Sequence, residues 1–77
     1  MTISAIMEKA REVLGESTGL KVVKIIDAIR VCKCWKLLVE LQDEANSYVE
    51  LYEIMIDDDG NPVEMGIKLT GKLKTDS

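Results

Sequence analysis

The chain has 77 residues, 47% of them apolar and 31% charged, with a formal net charge of −4; this is the balance of one small globular domain and excludes a disordered segment or a two-domain protein. Between Lys36 and Lys68 there is no Lys or Arg, whereas Glu40, Asp43, Glu44, Glu50, Glu53, Asp57, Asp58, Asp59 and Glu64 all fall there. Such a field repels phosphate backbones and argues against a nucleic-acid partner.

With one Trp, two Tyr and no Phe, the core must be aliphatic. No apolar run approaches the ~20 residues of a membrane span. The opening Met1-Thr2-Ile3-Ser4-Ala5 lacks the basic leader and apolar run of an export signal, so the expected location is the cytoplasm. Cys32 and Cys34 sit one residue apart, a spacing that suits a disulfide poorly, and free thiols fit a reducing compartment.

In chain order, Ile3, Ile6, Met7, Ala10, Val13 and Leu14 recur at three- and four-residue spacing, which predicts an amphipathic helix over 2–14. Thr2 or Ser4 can cap its start, Gly15 suits the left-handed position past its end, and 16–19 then form a turn. Residues 20–31 are ambiguous in period: Val22, Ile25, Ile26 and Ile29 fit helical spacing. The density of β-branched residues, including Val23 and Val31, decides for a strand.

From Cys34 to Gln42 the alternation is clean, with Trp35, Leu37, Val39 and Leu41 on one side. Residues 43–47 form a polar connection, and a third strand runs from about Tyr48 to Asp57. Asp59-Gly60 predicts a two-residue hairpin turn with both central residues at positive φ. That turn pairs Ile56 with Val63, Ile54 with Met65, and Tyr52 with Ile67, and it places Lys68 across from Leu51. Pro62 marks the start of an edge strand, and residues 72–77 form a fraying tail. The expected fold is α+β, an N-terminal helix packed on an antiparallel meander sheet of about four strands. The helix should cover the face carrying Trp35, Leu37, Val39, Ile54, Ile56 and Met65.

No constellation predicts catalysis. The run Asp57-Asp58-Asp59-Gly60-Asn61 fails the calcium-loop template, because anchoring its glycine on Gly60 puts Met55 and Gly66 where the first and last ligands belong. Cys32 and Cys34, projecting from one side of a strand, could supply half a soft-metal site, but there is no His and no further Cys to complete it within one chain. Glu40 and Glu53 would be a carboxylate pair only if their strands aligned, and a solvated sheet face explains them more simply. No nucleophile has an evident base and no glycine-rich phosphate loop follows a strand. The sequence therefore predicts no enzyme, no metal and no cofactor.

What remains is the sheet face opposite the helix, carrying Cys34, Leu38 and Glu40 on one strand and Val49, Leu51, Glu53 and Met55 on the next. It is too apolar for a purely solvated face. Either the 16–31 segment covers it, or it is a contact surface for other proteins, a second copy of the chain among them. The candidate interface is Leu38, Glu40, Val49, Leu51, Glu53 and Met55.

The order of elements carries a resemblance. A helix ending near Gly15 is followed by Val22-Val23, by the Trp-led strand Trp35-Lys36-Leu37-Leu38-Val39-Glu40, and by Tyr52-Glu53-Ile54-Met55-Ile56-Asp57-Asp58-Asp59-Gly60. Over residues 5–70 this resembles the gas vesicle protein O family, whose members carry a Trp-led strand ending in Val-Glu, then Tyr-Glu-Val and an Asp-x-Asp-Gly turn. The resemblance implies a cytoplasmic accessory protein for gas vesicle formation that works by contacts with other vesicle proteins. The run Ile67-Lys68-Leu69-Thr70-Gly71-Lys72-Leu73 is similar instead to the closing strand of PepSY-like domains, which implies an inhibitory or interaction module.

Overall fold

The computed structural model describes residues 2–72. It has one helix, α1 (Ile3–Thr18), followed by β1 (Lys21–Val31), β2 (Cys34–Asp43), β3 (Tyr48–Asp57) and β4 (Pro62–Lys72). The strands form one antiparallel sheet in the order β1-β2-β3-β4, the expected helix on a meander. Lys72 is the last residue of β4 rather than part of a tail; the rest of the predicted tail lies outside the described residues.

The helix begins where the sequence predicts, with the Thr2 hydroxyl accepting from the Ala5 amide at 3.2 Å. It ends a turn later than predicted. Gly15 is helical, and its carbonyl accepts the Gly19 amide at 3.0 Å, while Gly19 takes the left-handed conformation at φ 70. Thr18 secures this end: its hydroxyl donates to the Leu14 carbonyl at 2.6 Å and accepts from the Leu20 amide at 3.1 Å. With a donor–acceptor side chain at position 18 and a second glycine at 19, the Gly15 stop signal loses.

Ile6, Ala10 and Leu14, one helical turn apart, are fully buried against Leu37, Val39 and Leu41 of β2 and Ile54 and Ile56 of β3. Trp35, Tyr52, Met7 and Val13 pack around this cluster, half-buried. From β1 the core takes Val22, Ile25 and Ala28. Their three-residue spacing has a plain cause: β1 is bulged between Val22 and Lys24 and between Ile25 and Asp27, so Val23 and Ile26 are extra residues without a partner on β2. Two bulges in close succession turn a period of two into a period of three, which is why this strand reads as a helix by spacing alone.

Met65 departs from expectation. It does pair with Ile54, and Ile67 pairs with Tyr52, as predicted, but Met65 is 43% and Ile67 53% exposed. The helix lies over β1 to β3 and leaves all of β4 in solvent.

The last hairpin also turns differently. Asp57 O accepts the Gly60 amide at 3.0 Å, which makes Asp58-Asp59 the central pair, and Gly60 follows at φ 84. Asp59 is not at positive φ. The loop is the three-residue kind, a tight turn followed by a left-handed glycine, closed by Asp57 and Asn61. Ile56 therefore faces Pro62 rather than Val63, and a bulge at Val63 returns the ladder to the predicted register at Ile54–Met65. A second bulge leaves Lys68 unpaired, so Leu51 faces Leu69 rather than Lys68.

Candidate functional site: the uncovered sheet face

All six residues of the predicted interface lie on the side of the sheet away from the helix. Leu38 and Glu40 alternate with the buried Leu37, Val39 and Leu41; Val49, Leu51, Glu53 and Met55 alternate with Tyr52, Ile54 and Ile56. Each is half-buried. The ladder knits them together, Leu38 opposite Glu53 and Glu40 opposite Leu51. The 16–31 segment does not cover them: it is the last turn of α1 and the strand β1, which lies in the plane of the sheet.

The edge strands extend this face. Ile29 (51% exposed) lies beside Lys36, with the bulged Ile26 further along β1, and Leu69 (61% exposed) lies beside Leu51 on β4. Sequence reasoning missed all three, because their side of the sheet depends on bulges it did not place. With them an apolar stripe crosses the sheet: Ile29 on β1, Leu38 on β2 and Leu51 on β3 fall on a diagonal, and Leu69 on β4 lies directly beside Leu51. Two shallow depressions, about 360 and 440 Å³, lie along the diagonal and meet at Leu51.

Charge borders the stripe in balanced pairs. The Glu53 carboxylate lies 3.4 Å from the Lys36 ammonium and 3.9 Å from that of Lys68, and Glu40 stands across from Lys24. Glu40 and Glu53 face leucines across the β2–β3 ladder, not one another.

Other polar side chains brace the turns at this end of the sheet. Asp57 Oδ1 accepts from the amides of Asp59 and Asn61 at 3.0 and 2.9 Å. Arg30 donates from its two terminal nitrogens to the two carboxylate oxygens of Asp58, at 2.7 and 3.0 Å, and lies over the Trp35 ring, 5.5 Å from its centre. This triplet ties the β1–β2 turn to the β3–β4 turn. The Arg30 hydrogen bonds hold the Asp58 carboxyl below its ordinary pKa. Partial burial, and then Glu50, push the Tyr52 phenol up.

The thiols do not share one side of a strand. Cys32 is the first residue of the two-residue β1–β2 turn, at φ 55 and exposed, whereas Cys34 opens β2 half-buried, and both are free. Among the described residues no cluster of three His, Cys, Asp or Glu could hold a metal ion, and no helix is long and apolar enough to cross a membrane. Compared with known proteins, the chain matches no family, no curated protein and no solved structure.

Proposed function

We propose that this domain is a non-enzymatic, cytoplasmic accessory protein that binds other proteins through the uncovered face of its sheet, and that these contacts serve gas vesicle formation. The observation that carries the binding reading is the stripe of Ile29, Leu38 and Leu51, with Leu69 beside Leu51, on a face that no element among the described residues covers. Apolar centres rimmed by charge are the usual anatomy of protein contacts. The gas vesicle reading rests on the order of motifs from Trp35 to Gly60.

The edges of the sheet argue for the face over strand addition. Both edge strands carry two bulges, β1 at Val23 and Ile26 and β4 at Val63 and Lys68, and β4 begins with Pro62. Bulges, proline and lysine blunt an edge against further pairing.

Leu51→Glu tests the reading, because Leu51 lies at the meeting point of the two depressions and its neighbour on β4, Leu69, is already exposed. The variant should keep the far-ultraviolet circular dichroism spectrum and a cooperative melt while losing its partner. Purified gas vesicle proteins, titrated one at a time by calorimetry, supply the partners. If Leu51→Glu unfolds the chain, the stripe is core and the binding face is lost; if wild type binds none of the vesicle proteins, the vesicle role is lost.

A further inference from the structure

Resting on the reading of this face as a contact surface, the geometry points to its occupant: we infer that a second copy of this chain packs face to face across the diagonal stripe, with the two-fold axis running along it. Three observations support this. The first is shape. In a two-fold contact each residue meets the image of its own surroundings, and a stripe laid along the axis falls on itself. Ile29, Leu38 and Leu51 then each stand over their own counterparts, and Val49 stands over Leu69 of the other copy. The strands of the two sheets cross steeply, which belongs to the orthogonal class of sheet packing.

The second observation is charge. Five acids, Asp27, Glu40, Glu53, Asp57 and Glu64, stand on this side of the sheet against four lysines, at 21, 24, 36 and 68, so the face is closer to neutral than the chain, whose net charge is −4. A face as acidic as the whole chain would repel its own copy. The two flanks of the stripe are also complementary. Asp27 is the β1 residue one step along from Ile29, and Lys36 is the β2 residue beside Ile29, so rotation about the stripe sets Asp27 of each copy against Lys36 of the other. One contact is adverse, Glu40 against Glu53 of the other copy, but Glu53 already lies between Lys36 and Lys68, at 3.4 and 3.9 Å.

The third is size. Two four-stranded faces with strands ~4.8 Å apart, crossed steeply, overlap on ~400 Å² in projection. With side-chain relief on both copies that is ~1,000 Å² in total, the lower end for a specific contact. The dimer should therefore be reversible and of modest affinity, with Kd in the range of ~10–100 μM.

Sedimentation equilibrium of the full chain tests this. Wild type should pass from monomer to dimer over ~10–500 μM. Asp27→Lys sets like charges against Lys36 in both symmetric pairs, and Lys36→Asp does the same against Asp27. Each variant should weaken the dimer by about tenfold or more with the circular dichroism melt retained. A 1:1 mixture of the two restores both pairs, so it should dimerise at least as well as wild type, an outcome that damage to the monomer fold could not produce. Should Lys36→Asp fail to fold, salt dependence decides: added salt should weaken the wild-type dimer and strengthen the Asp27→Lys dimer. A wild type that stays monomeric while Leu51→Glu remains folded overturns self-association and leaves the face to another partner. If Leu51→Glu unfolds, the contact surface itself is lost. A dimer indifferent to both charge variants and to their mixing overturns the diagonal arrangement.

Discussion

Two glycines four residues apart should respond to the same substitution with opposite signs. Gly15 lies inside α1, and Gly19 caps it at φ 70. A methyl group built on either would meet no heavy atom within 4 Å, so crowding does not distinguish them and backbone conformation does. At Gly15, alanine fits the helical backbone and restricts the unfolded chain, which should add about 0.5–1 kcal/mol. At Gly19 the left-handed conformation costs an alanine about 1–2 kcal/mol. For a domain of this size 1 kcal/mol moves the melting temperature by about 4–8 °C. Gly15→Ala should therefore melt several degrees higher than wild type, and Gly19→Ala distinctly lower. Gly19→Asn should lose less than Gly19→Ala, because asparagine tolerates the left-handed region better. Thermal melts followed at 222 nm measure all three. Were Gly15→Ala the destabilising change and Gly19→Ala neutral, the helix would end at Gly15 and the account of Thr18 and Gly19 would be wrong.

Leu37, fully buried beneath the helix, should cost about 2–5 kcal/mol on truncation to Ala, read as a lower urea midpoint; a change below about 1 kcal/mol would remove Leu37 from the core. Asp58 gives a pH signature. Its carboxyl is held below the ordinary value by Arg30, so its contribution is present above the unfolded Asp pKa of ~3.9 and fades as pH falls through the lower folded value. Wild type should out-melt Asp58→Asn near neutrality and lose that margin at strongly acid pH, whereas a margin constant with pH would mean that the carboxylate charge contributes nothing.

The helix, the four strands and the faces of β2 and β3 were legible because there the side-chain period is unbroken. Leu37, Val39 and Leu41 alternate with Leu38 and Glu40, and the structure buries the first set and leaves the second half-buried. Most departures fall where one residue is added or a cap is moved. Composition rather than period identified β1, since its bulges hide the alternation. The β3–β4 hairpin shows two errors cancelling: the turn is one residue out, the Val63 bulge restores the count, and Ile54 still meets Met65. Register between strands with matching alternation is strongly constrained, so the bulge falls where the apolar pairing needs it. Lys68 was misplaced for the same kind of reason, and with it the neighbour of Leu51. The exposure of Met65 was not legible, because burial depends on how far the helix reaches across the sheet.

That reach follows from dimensions. A helix with its side chains is ~10–12 Å across, and strands lie ~4.8 Å apart, so one helix laid along a sheet shelters two to three strands. In this chain α1 covers β1 to β3. Among the described residues none lies above the fourth strand or beneath the opposite face. A sequence adapted to that exposure would place polar residues at both. This one places Met65 and Ile67 on the helix side of β4, Leu69 on the other, and Leu38, Leu51 and Ile29 across the back. Fully burying an exposed side chain of this kind is worth about 1.5–3 kcal/mol, and the isolated chain forgoes part of that gain at each. The bulged edges and Pro62 show that the same sheet is protected against strand addition, so its open surfaces are not simply unguarded. A chain that blunts its edges and leaves its face apolar has the face as the surface on which association gains the most.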